Sequence, residues 1–144
     1  MSRVLVVANE TVEADELLAE LRRIEDERTS IFAVVAPAVA ADHGVRGSWS
    51  QAGAIDAAQE RLDRTLAVLR SEGLECDGWV GDMVPYAAVR DAVERFGKVD
   101  LIVISTHPAT RSRWLKKDLV EQVKRHFHVP VVHVVSHVHE HRPA

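Results

Sequence analysis

Apolar positions along the chain fall into two patterns, short continuous runs and longer stretches at helical spacing, and the two alternate. Arg3 to Ala8 (RVLVVA) is a run of apolar, branched residues, the pattern of a strand buried on both faces. Asn9-Glu10-Thr11 reads as a polar turn. From Val12, the apolar positions Ala14, Leu17, Leu18, Leu21 and Ile24 recur every three or four residues, with Glu and Arg opposite, which predicts an amphipathic helix. Thr11 suits its N-cap, and Glu13 to Glu16 place negative charge where the helix dipole favours it. Ser30 to Ala36 is a second buried strand closed by Pro37, and Ala38 to Ser50, with its glycines and Trp49, reads as a surface loop. Ala52 to Leu69 carries Ile55, Ala58, Leu62, Leu66 and Leu69 on one helical face, and Gly73 ends that helix. Glu75 to Val80 is a short strand stopping at Gly81-Asp82. Tyr86 to Phe96 is a helix with Pro85 in its first turn and Gly97 as its stop.

The rest of the chain repeats the scheme in its clearest form. Val99 to Ser105 is a strand, Arg113 to His126 a helix, and Val129 to Ser136 a final strand rich in valine. A strand, crossover helix and second strand make the unit of a parallel sheet. Nine alternating elements with right-handed crossovers predict an α/β fold, a single-domain three-layer sandwich over residues 1–136. His137 to Ala144 is then a short polar tail. In such sheets ligands collect at the carboxyl ends of strands, which directs attention to the loop from Ser105 to Arg113.

Composition narrows the classes. The 144 residues fit one domain with a full core, and 47% hydrophobic against 28% charged residues is ordinary for a globular protein. A formal charge of −4, from 22 acids and 18 bases, is not the footprint of a general nucleic-acid binder. No apolar run approaches a membrane span, and the first residues lead straight into a strand, so we expect no membrane partner. One cysteine, Cys76, permits no internal disulfide and fits a reducing compartment; the expectation is a cytoplasmic protein.

The segment WVGDMVPYAAVRDAVERFGKVDLIVISTHP, the closing LVEQVKRHFHVPVVHV and the opening VLVVANET resemble the universal stress protein family, over nearly the whole chain. The resemblance implies a Rossmann-like, five-stranded parallel sheet in order 3-2-1-4-5, with the first and fourth strands adjacent. It also implies a homodimer paired through the edges of the last strand. A strand carrying Val129, Val131, Val132, Val134 and Val135 is an apolar edge that soluble proteins cover or pair, which points the same way. The alternative is that the His137 to His141 tail folds over it.

ATP-binding members of that family carry a Gly-x2-Gly-x9-Gly-Ser/Thr pattern after the fourth strand. Its glycines let the backbone approach phosphate at a helix start. The matching positions here are Ser105, Pro108, and Lys117 followed by Asp118; every glycine is absent, and Pro108 removes a backbone donor. The ribose-contacting acid implied after the first strand is Asn9, a neutral partner. The expectation is therefore a degenerate site that does not bind ATP in the usual way, with ATP and AMP disfavoured as cofactors. In its place Arg111, Arg113, Lys116 and Lys117 crowd the loop and helix start, where the dipole disfavours cations. One reading is an anion site built from Asn9, Ser105, Thr106, Arg111 and Arg113, its guanidinium forks replacing backbone amides around phosphate or carboxylate. The other is a solvated basic face paired with Asp118 and Glu121 and capped by Ser112.

Six of the eight histidines follow residue 125. Were the last strand to continue, His133, His137, His139 and His141 would share a face, a weak metal signal without cysteine support. Asp82 reads as a ligand-facing acid or a turn residue, and His107 as a possible base. No serine elbow, Cys–His pair, paired carboxylates or GxGxxG turn accompanies them. The reading is a regulatory or stress-response domain without enzymatic activity. The alternatives are a small anionic-ligand or nucleotide binder using the basic loop, and an interaction protein acting through its sheet edge.

Overall fold

The computed structural model describes residues 1–8, 15–37, 51–81, 84–106 and 113–135. The expected turn and cap at Asn9 to Thr11, the loop with Trp49, Asp82, the segment from His107 to Ser112 and the histidine-rich tail lie outside the described residues. The order is β1 (Ser2–Ala8), α1 (Asp15–Glu27), β2 (Ser30–Pro37), α2 (Gln51–Ser71), β3 (Cys76–Gly81), α3 (Pro85–Phe96), β4 (Leu101–Thr106), α4 (Arg113–His126) and β5 (Val131–Val135). The strands form one parallel sheet in the order β3-β2-β1-β4-β5. Alternation of strand and crossover helix, read from the chain, gives the parallel layered sheet, and the strand order is the one the family resemblance implies.

Strand pleating divides the interior into two layers. Val4, Val6, Phe32, Val34 and Val103 meet α1 and α2 through Leu17, Leu21, Leu62, Leu66 and Leu69. Leu5, Val7, Val35, Ile102 and Ile104 meet α3 and α4 through Val89, Ala92, Leu119 and Val123. The central strands are buried on both faces because a helical layer covers each, and this is why they read as continuous apolar runs.

Three details differ from the sequence expectations. Ile55, assigned to the apolar face of α2, is 41% exposed. Val99 packs into the layer of α3 and α4, but β4 begins at Leu101, and Val129 likewise precedes β5, which begins at Val131. Pro130 still contributes its carbonyl, which accepts from Ile102 N–H at 3.0 Å, but proline has no donor of its own. The stop at Gly73 is a Schellman motif: Leu74 N–H donates to Leu69 O at 3.1 Å and Gly73 N–H to Arg70 O at 3.0 Å, with φ of +84° at Gly73.

Candidate functional site

The strand order reverses at β1 and β4. Hydrogen-bonded side by side with Ala8 opposite Ser105, they lead into connections on opposite faces of the sheet, the arrangement that opens a crevice at the strands' carboxyl ends. Ser105 is fully buried between Ala8 of β1 and Val134 of β5, so its hydroxyl belongs to the floor beneath any crevice rather than to its wall. Thr106 is the last residue of β4, in register with Val135, and Arg113 is the first of α4. Of the expected site residues the structure thus places Ser105 and Thr106 together at the end of β4. Asn9, one residue beyond Ala8, and Arg111 lie outside the described residues.

The charge pattern of α4 sharpens the question about the loop. Its first turn contains no acid, and its last turn carries Lys124, Arg125 and His126, the end where the dipole welcomes cations. His126 Nδ1 lies 3.0 Å from Gln122 O, and its ring centroid is 5.6 Å from that of Tyr86. This histidine is explained by the helix end it occupies. His133 is half-buried within β5, opposite Ile104. Among the described residues no group of three or more His, Cys, Asp or Glu is placed to hold a metal ion, and no helix is long and apolar enough to cross a membrane.

Cys76 is buried at the start of β3, its Sγ 3.9 Å from Leu66 O. Burial pushes its thiol above the ordinary value, against the opposing pull of the Arg70 charge. A thiol held protonated is a packing group, not a nucleophile.

Sequence reasoning passed over Arg3. Its backbone N–H donates to Asp100 Oδ2 at 2.9 Å and its carbonyl accepts from Asp100 N–H at 2.8 Å. Its guanidinium donates to Phe96 O at 2.7 Å while lying 5.5 Å from the Phe96 ring centroid. One residue therefore ties the amino end of β1 to the start of β4 and to the last turn of α3. A solvent-open hollow of ≈ 400 Å³ lined by Met1, Arg3, Arg28, Lys98 and Asp100 adjoins it, and another of ≈ 430 Å³ lies between α1 and Leu101 and Val132. Both lie at the amino ends of the strands, away from the switch point. A signal for Arg3 existed only in combination, as a charged residue at the head of a buried strand with an acid preceding the fourth.

This sheet order, with its switch point between β1 and β4, is the fold of the universal stress proteins. Superposition on a universal stress protein from Archaeoglobus fulgidus gives a TM-score of 0.63 at 18% identity, covering 93% of this chain and 98% of that one. The universal stress protein UspA from Lactobacillus plantarum gives 0.59 at 13% identity, covering 92% and 97%. No protein-family model matches the sequence, and no curated protein matches it.

Proposed function

We propose that this chain is a universal-stress-protein-like regulatory or stress-response domain of the cytoplasm, without enzymatic activity, whose crevice does not take ATP in the usual way. The observation that carries this reading is a switch point of the right topology followed by a turn of the wrong chemistry. The chain offers Ser105, Pro108 and Lys117-Asp118 where phosphate-binding relatives use glycines, and Ser105 is sealed under the sheet surface. Calorimetric titration of the full chain with ATP should give no saturable heat. Micromolar ATP binding that competes with AMP would overturn the reading.

The basic loop supplies a second reading. Arg111, Arg113, Lys116 and Lys117 stand together in an otherwise acidic chain, and guanidinium forks hold phosphate or carboxylate without glycine. Here inorganic phosphate or AMP raises the melting temperature, and Arg111→Ala or Arg113→Ala abolishes the rise. A shift that survives both substitutions removes this reading.

Dimerisation through β5 completes the proposal. Ile102 donates to Pro130 O and pairs in register with Val131, so the N–H and C=O of Val131 point away from β4, toward a partner strand. Val131→Pro deletes an outward donor and leaves the β4 ladder intact. Light scattering should report two chains for the wild type and one for Val131→Pro.

A further inference from the structure

A five-stranded open sheet has two edges, and in this one side chains engage two of the outward backbone groups of the β3 edge. Phe32 N–H donates to Glu75 O, with Phe32 opposite Cys76 in the parallel register and Val34 opposite Gly78. Parallel pairing then turns the N–H and C=O of Cys76 and Gly78 outward, away from β2. Neither Cys76 O nor Gly78 N–H is left as a template. Arg70, from the last turn of α2, reaches over the edge and donates to Cys76 O through Nε at 3.3 Å and through an Nη at 3.1 Å. The Asp77 carboxylate accepts from Gly78 N–H at 2.9 Å, and the two side chains face each other at 3.7 Å.

Both side chains are largely exposed, so their mutual attraction contributes little to folding. Their effect is on valence and charge. An incoming strand meets an acceptor already doubly engaged, a donor already engaged, and two charges that it would strip of water, the means by which soluble proteins block sheet edges.

We propose that Arg70 and Asp77 form an edge clamp that bars β3 from pairing with an edge strand of a second copy of this chain. The consequence concerns closure. Joining two copies through β5 would leave a β3 edge at each end of a continuous sheet, and if β3 could pair, assembly would run on without limit. The clamp ends it. The site of permitted association rests on the β5 reading; the barring of β3 does not.

The test compares particle mass across a wide concentration range for the full-length wild type, Arg70→Ala/Asp77→Ala, Val131→Pro and the triple variant. The wild type should keep one mass throughout. The folded double variant should gain mass with concentration, to about twice the wild-type particle or more, and the triple variant should stop at two chains. A double variant with wild-type circular dichroism and wild-type mass at every concentration overturns the clamp. Val131→Pro without effect, alongside growth of the double variant, overturns the β5 reading and leaves the clamp standing. Hydrogen exchange at Gly78 is independent of assembly. Asp77→Ala should speed exchange of that amide about tenfold, and unchanged exchange counts against the clamp even where the double variant fails to fold.

Discussion

Gly73 and Gly97 both hold positive φ, at +84° and +90°, but their surroundings differ. A Cβ on Gly73 would meet nothing within 4 Å, so Gly73→Ala should cost only the left-handed backbone penalty, about 1 kcal/mol. On Gly97 it would stand 2.9 Å from the Arg3 guanidinium that bonds Phe96 O. Gly97→Ala should cost about 3 kcal/mol, because its φ of 90° with ψ of −135° is backbone all but reserved for glycine and a charged hydrogen bond is disturbed besides. Urea denaturation of the two variants checks the order. A double-mutant cycle with Arg3→Ala locates the difference: Gly97→Ala should be about 1 kcal/mol milder once Arg3 is gone, and strict additivity would refute the contact.

Glycines within strands act at the scale of elements, by letting a helix close on the sheet. A Cβ on Gly78 would lie 2.4 Å from the backbone oxygen of Val34 and 2.9 Å from Leu62 of α2. On Gly81 it would lie 2.8 Å from Ala88 of α3 and from Val35. The Gly78 neighbour is backbone in the next strand and cannot swing aside, so Gly78→Ala should cost about 3 kcal/mol and separate α2 from β3. Thermal unfolding checks it; a loss below about 1 kcal/mol would show that the sheet yields locally. Gly81 was legible in the sequence as a strand stop, and Gly73 and Gly97 as helix stops, because each punctuates a local pattern. Gly78, Arg3 and the Arg70–Asp77 clamp were not, since their partners lie on other elements and periodicity carries no cross-element information. The same limit misplaced Ile55. Helical spacing says which residues share a face, but not how far along the helix the sheet beneath it extends. At the carboxyl ends of β1 and β4 the switch point followed from the strand order that the universal stress protein resemblance implies, whereas the chemistry of the loop depends on side chains whose spacing obeys no period.

For the molecule as a whole, burial and charge make unequal contributions, and the inequality is testable. Arg22–Glu72 at 2.5 Å and Arg90–Asp91 at 3.8 Å both join side chains at least one third exposed. Such pairs contribute about 0–1 kcal/mol each and less in salt. Ile104, by contrast, is fully buried in β4 under the layer of α3 and α4, and Leu62, 2% exposed, belongs to α2 and packs in the core layer on the other side of the sheet. Ile104→Ala and Leu62→Ala should each cost about 2–5 kcal/mol, while Arg22→Ala stays within about 1 kcal/mol. Because the two residues belong to separate core layers on opposite sides of the sheet, their costs should add to within about 0.5 kcal/mol. Chemical denaturation of the single and double variants at low and high salt decides this. If 1 M salt lowered the stability of the wild type by as much as Ile104→Ala does, surface charge rather than the double-layered core would be holding the sheet.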